Sequence, residues 1–244
     1  MSIWPAALGL SVAGSLGGLL TASLLLLFTH DVRARFVPWL ISFAVGTLLG
    51  ASLLDLLPQA LDTVAPSPIF GTLLAGILTF FVLEKLVLWR HCHDDEVCEI
   101  HSSTVAMVFI GDAIHTFVDG VVIAAATLVS LPLGATTALA VAAHEIPQEV
   151  GDFAILLSAG LTRSRALLLN IVAGGAGLVG AAAMLVFGTR TPEAVPYVLA
   201  FAAGNFLYVA MSDLIPNLHR GTIDTNAVRQ VVLIALGVAT MIAL

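Results

Sequence analysis

The sequence predicts an all-α integral membrane protein with eight transmembrane helices. Three observations carry this. Of 244 residues, 59% are hydrophobic and only 10% are charged, where a soluble domain carries about a quarter charged residues. The apolar residues fall into eight runs, each long enough for the roughly 20 residues that a spanning helix needs. The nine Lys and Arg residues sort onto one side of those runs, as the positive-inside rule requires.

The predicted segments are 3–28, 38–60, 68–90, 103–129, 133–158, 165–188, 194–218 and 227–244. In lipid they must be helices, because each backbone group needs a partner within its own segment. The first begins MSIWPAALGL, with no basic region before the apolar run, so a permanent span is expected rather than a cleaved signal. Arg33 and Arg35 lie in loop 1–2, Lys85 and Arg90 lead into loop 3–4, Arg163 and Arg165 lie in loop 5–6, and Arg220 and Arg229 flank loop 7–8. Only Arg190, in loop 6–7, falls on the other side. Eight against one places the odd-to-even loops in the cytoplasm and both termini outside. No soluble domain is expected at either end, so residues 1–244 read as one membrane domain with a short cytoplasmic loop at 91–102.

Segments 2 and 7 resemble one another. FAVGTLLGASLLDLLPQ (Phe43 to Gln59) and FAAGNFLYVAMSDLIPN (Phe201 to Asn217) align without gaps, matching Asp55 to Asp213 and Pro58 to Pro216. Segment 2 runs outward and segment 7 inward, the mark of an inverted repeat in secondary transporters.

The spans are acidic inside. No Lys or Arg occurs between 36 and 84 or between 91 and 162, yet these stretches hold Asp55, Glu84, Asp112, Asp119, Glu145, Glu149 and Asp152. A charge near mid-bilayer costs a few kcal/mol even on lenient scales, so such residues face a partner or a polar path. With no basic partner nearby, that partner is a proton or a metal cation. Asp55 and Glu84 also fit hydrated helix ends. In segment 4, Asp112, His115 and Asp119 are three and four apart and share a face. In segment 5, His144, Gln148 and Asp152 form one stripe and Glu145 and Glu149 the next. Imidazole with carboxylate suits zinc and other first-row divalent ions. Pro147 lacks an N–H and presses on the carbonyl of Ala143, so a loosened turn is expected there.

HEIPQ is close to the H-E-x-x-H zinc-protease motif, but Gln148 replaces the second His and Pro147 interrupts the helix. A membrane-embedded zinc hydrolase is therefore the weaker alternative, and no catalytic constellation stands out. Acids would also serve a proton- or sodium-coupled carrier of another cation, which the two intramembrane histidines disfavour.

At these residues the chain resembles the ZIP (Zrt-, Irt-like) family of metal transporters, its LIV-type branch most closely. HTFVDG at 115–120 resembles the family's His-Asn-Phe-x-Asp-Gly, and HEIPQEVGDFAILLSAG at 144–160 is similar to the branch's segment 5. VLEK at 82–85 and AGNFLYVAMSDLIPNL at 203–218 resemble the branch as well. The resemblance implies a 3+2+3 arrangement, in which segments 1–3 and 6–8 are inverted triplets around helices 4 and 5. It implies transport of divalent cations, zinc first, toward the cytoplasm. It also implies a primary site of His115, Asp119, His144 and Gln148, with Glu145 and Glu149 in that site or an adjacent one. Asp55, Asp112, Asp152 and Asp213 would line the route or accept protons. Thr116 stands where the family usually has an Asn that serves a second metal position, so one dominant site without Thr116 is expected. His91, Cys92, His93, Cys98 and His101 offer thiolate and imidazole ligands in loop 3–4. The ion is substrate rather than cofactor. The expected partners are divalent cations and the lipid bilayer of a plasma or inner membrane, with a homodimer left open and no nucleic acid.

Overall fold

The computed structural model describes residues 3–25, 27–91, 100–218 and 225–244, and these form helices without strands. In chain order they are α1 (Trp4–Leu25), α2 (His30–Gly50), α3 (Leu57–Leu61), α4 (Pro66–His91), α5 (Ile100–Val129), α6 (Leu131–Ser158), α7 (Arg163–Gly174), α8 (Ala176–Arg190), α9 (Val195–Tyr208), α10 (Ile215–Leu218) and α11 (Thr225–Ala243). Six helical stretches are long and apolar enough to cross a membrane: Trp4–Leu25, Arg35–Leu61, Pro66–Lys85, Val105–Val129, Arg163–Arg190 and Pro192–Leu218. At 28 residues α6 has the length, but His144, Glu145, Gln148, Glu149 and Asp152 lower its apolar character.

Several helix ends depart from the expected boundaries. The second begins eight residues earlier than expected, at His30. Helix α4 continues to His91 and α5 starts at Ile100, and residues 92–99 of the loop expected at 91–102 lie outside the described residues. The turn between α5 and α6 is a single residue, Ser130, whose hydroxyl accepts from Leu133 N at 3.3 Å and caps α6. At its far end α6 stops two residues before Gly160, whose φ of +85° only glycine adopts cheaply. There the N–H of Leu161 reaches back to the carbonyl of Leu156 at 3.2 Å.

The loosened turn expected at Pro147 is absent, and α6 stays helical through it. Loosening occurs instead at Ala51–Leu56 and Val209–Leu214, which are π-helical turns. In these, Leu57 N–H bonds Ser52 O and Ile215 N–H bonds Ala210 O, five residues back in each case. Pro58 and Pro216 follow immediately and cannot donate to the residue four back. Widening the preceding turn shifts the ladder around the missing donor. Asp55 and Asp213 are each the fifth residue of their π turn.

The helices pack as two groups. One holds α1, α5, α6, α7 and α8, and the other holds α2, α3, α4, α9, α10 and α11. The groups meet mainly where α2 runs along α6, with α9 and α4 touching α5. Within each group the backbones approach closely through glycine. A methyl on Gly120 of α5 would run into the carbonyl oxygen of Gly177 on α8, and one on Gly204 of α9 into that of Leu73 on α4. Close contact of this kind is how helices associate where lipid supplies no hydrophobic drive. Ser11 of α1 donates to Gly177 O at 3.2 Å, fastening α1 to the same place. Val122 to Ala126 of α5 are buried without exception, so this stretch of the helix is enclosed on every face. In the other group, Arg35 and Arg229 lie over the Trp39 ring at 5.9 and 5.0 Å, so the basic ends of α2 and α11 share one side.

Gly120→Ala should lower the melting temperature of the detergent-solubilised protein, by a destabilisation of about 1–3 kcal/mol. Gly71→Ala on α4, with nothing near its missing Cβ, should leave the melting temperature unchanged or raise it. Equal melting of both variants would contradict backbone contact at Gly120.

Candidate metal centre

The α5–α6 hairpin sets ligand-type side chains of both helices against one another. His115 and Asp119, one turn apart on α5, face His144 and Glu145 on α6, and one ligand atom from each of the four lies within 4.8 Å of the others. Asp119 Oδ2 is 3.3 Å from His144 Nε2 and 3.6 Å from His115 Nε2. The two Nε2 atoms are 3.1 Å apart. Two nitrogens bound at about 2.0–2.1 Å to a tetrahedral zinc would stand roughly 3.3–3.4 Å apart, so the separation needs little adjustment. Asp119, His144 and Glu145 are buried, and His115 nearly so.

The orientation of His144 is fixed from behind. Its Nδ1 lies 3.0 Å from the carbonyl oxygen of Ala140. A carbonyl only accepts, so Nδ1 carries the proton and the Nε2 lone pair is left for a ligand. The edges of two aromatic rings close the centre from the other helix group: Phe206 of α9 with its centroid 5.8 Å from the His144 ring, and Phe80 of α4 at 6.3 Å from His115. Gly18 of α1 lets that helix lie against α6, since a methyl there would sit 2.6 Å from Glu145 Cβ.

The acid groups in this centre are short of partners. Both oxygens of Glu145 are buried with no hydrogen-bond partner, and neither oxygen of Asp119 accepts a well-aligned hydrogen bond. Buried carboxylates without donors are costly. A cation placed among them offsets that cost. A second group adjoins the first, in which Asp112, Glu145 and Glu149 bring carboxylate oxygens within 4.8 Å of one another, all three residues buried. Glu145 belongs to both groups.

The remaining residues singled out in the sequence are distributed as follows. Gln148 is half-buried on the turn of α6 after His144 and has no hydrogen-bond partner among the described residues. Asp152, one turn further, is half-buried too. Thr116 faces away, its hydroxyl donating to Asp112 O at 2.9 Å and approaching Asp112 Oδ1 at 3.3 Å. Its methyl lies where a Cβ on Gly177 of α8 would meet it at 3.2 Å. Asp55 is half-buried with Oδ2 unpartnered, and Asp213 is exposed. Glu84 of α4 accepts a hydrogen bond from the Tyr208 hydroxyl of α9. Cys92, His93 and Cys98 lie outside the described residues, as do the side chains of His91 and His101. One participant escaped the sequence reading. Asn170 of α7 donates from Nδ2 to Glu149 Oε2 at 2.6 Å, with both residues buried. Its only signal was a lone amide in the apolar run ALLLNIVAG.

Comparison with known proteins places this geometry. The family model described as ZIP Zinc transporter matches residues 89–244. Zinc transporter ZIP13 of Pongo abelii is 36% identical over 231 residues, an alignment spanning 87% of this chain and 68% of that relative. Zinc transporter ZIP13 of Homo sapiens is 31% identical over 258 residues, spanning 83% and 69%. Zinc transporter ZIP4 of Homo sapiens is 44% identical over 110 residues, which is 45% of this chain and 17% of the relative. The matched region takes in α5 and α6 with every side chain of the centre, and the chain belongs to the ZIP family of zinc transporters.

Proposed function

We infer that the chain carries divalent transition-metal cations, zinc first among them, across a bilayer toward the cytoplasm. The observation that carries this is the buried centre of His115, Asp119, His144 and Glu145. Asp119 is flanked by two imidazoles, and Glu145 has no hydrogen-bond donor among the described residues. Imidazole nitrogens and carboxylate oxygens bind zinc well without the thiolates of permanent structural sites, which suits an ion that must leave again. The relatives named as zinc transporters support the same substrate.

In this reading Gln148, free to turn, completes the primary site. Glu149 and Asp112 take the ion next, with Asp55, Asp152 and Asp213 along the route. Loop residues His91, Cys92, His93, Cys98 and His101 would receive or sense ions on the cytoplasmic side. The ion is cargo, and no resident cofactor is assigned. Eight spans follow once polar α6 and short α11 are added to the six apolar stretches. The matched π turns around Asp55 and Asp213 support the inverted repeat, and with it the 3+2+3 order. The basic loops set the termini outside a plasma or inner membrane, and a second copy of the chain is a candidate partner. The centre sits on the helix group holding α5 and α6 and is lidded by Phe80 and Phe206 of the other group, so sliding of one group along the other would open it to either side. A zinc hydrolase would instead need three fixed ligands, an open water position and a substrate groove.

Proteoliposomes containing the full chain should accumulate zinc-65, and the His115→Ala/His144→Ala double variant should show only background flux while remaining monodisperse in detergent. Undiminished flux in that variant would refute the site, and metal-dependent cleavage without flux would favour the hydrolase. Thr116→Val should reduce stability by about 1 kcal/mol through the lost hydroxyl bond and leave zinc affinity intact. A loss of zinc binding in calorimetry as large as that of His115→Ala would make Thr116 a ligand after all.

A further inference from the structure

We propose that Asn170 of α7 is a positioning residue for ion transfer, holding the Glu149 carboxylate in the pose from which it meets the ion beside Asp112 and Glu145. This rests on the reading of those three acids as part of the ion route. The bond itself is direct geometry, Asn170 Nδ2 to Glu149 Oε2 at 2.6 Å, between side chains that are each 2% exposed and 21 residues apart in sequence.

Glu149 has neighbours of one sign on its own hairpin. Asp112 and Glu145 share its group, and Asp152 follows three residues later on α6. Without a donor, a carboxylate in such company turns away from the other acids or gives up its charge. Asn170 supplies that donor from a different helix. Past Arg163 and Arg165 at its exposed start, α7 offers no other polar side chain before Gly174. The chemistry of the amide matters. Lys or Arg here would neutralise Glu149 and compete with the ion, and Asp or Glu would add a further negative charge. A neutral N–H donor fixes the anion and leaves its charge for the ion. Partners that hold metal-binding groups in this way tune affinity from outside the coordination sphere.

The test compares saturable zinc uptake by the full chain in proteoliposomes. Asn170→Leu keeps the size and removes the donor. It should raise KM for zinc roughly tenfold or more, with the maximal rate within about twofold of the parent. Asn170→Ser, which retains a hydroxyl donor, should recover part of the loss. In a Glu149→Gln background, Asn170→Leu should add nothing further to KM, because the residue acts only through that carboxylate. An unchanged KM in Asn170→Leu, or the same added penalty in both backgrounds, would overturn the proposal and leave Asn170 as packing. Should the Leu variant fail to insert, Asn170→Ser against Asn170→Ala makes the same donor comparison. Failure of the transport reading itself would appear separately, as parent protein without saturable uptake or as flux indifferent to His115 and His144.

Discussion

The constraint on which this structure turns is the burial of carboxylates in a membrane protein where, among the described residues, no Lys or Arg side chain reaches them. Asp112, Asp119, Glu145 and Glu149 are each at most 4% exposed, and among the described residues the side chains paired with Asp119 are those of His115 and His144. Such charges are tolerable only if lipid never touches them and something positive visits them. The first condition explains the packing. A helix as polar as α6 must be jacketed, and α1, α2, α5 and α7 all lie against it. Gly18 permits the approach of α1 at the level of Glu145 itself. The second condition explains the chemistry. The imidazoles are partners of adjustable charge that also coordinate metals.

Much of this was legible in the sequence because the signals were redundant. The apolar runs, the one-sided arginines and the spacing of His115, Asp119, His144 and Glu145 each restrict the fold independently, and the structure brings those four side chains together. Less was legible where one rule admitted two outcomes. Proline in a helix removes a donor, but whether the helix loosens depends on what surrounds it. Pro147 sits buried in α6 and leaves it α-helical, whereas Pro58 and Pro216 are exposed and follow π turns. Residue type sets Thr116 apart from its neighbours, yet its direction, back to Asp112 and toward Gly177, depends on the fit of α8. Asn170 was invisible because a single amide in an apolar run has no periodicity to betray it, and its partner lies on another helix.

The grouping of helices was the feature least available from sequence. The proposed 3+2+3 order would divide the chain as triplets around α5 and α6, and packing cuts across that division. Helix α1 and the α7–α8 pair join α5 and α6, and the remaining helices form the second group. Sequence order cannot foretell this, since helices in lipid choose partners by close fit rather than by hydrophobicity. Glycine is what encodes the choice. Gly120, Gly177 and Gly180 bind α5 to α8, Gly76 and Gly204 bind α4 to α9, and Gly46 and Gly237 bind α2 to α11, each pair lying inside one group.

That distribution bears on how an ion could pass. Contacts in which one backbone sits where a methyl would be cannot shift without losing their fit, so each group is expected to hold its shape. The seam between groups is different in kind. Around the centre it consists of the Phe80 and Phe206 rings laid edge-on against imidazoles, and none of the close glycine–backbone contacts named above crosses it. The π turns at Asp55 and Asp213 both belong to the second group, where a widened turn can take up strain at modest cost. The ligands of α5 and α6 therefore travel together on the rigid side of a smooth boundary. A site carried in this way can change the solvent it faces while its own geometry is preserved, and alternating access demands that combination from a binding site made of buried charge.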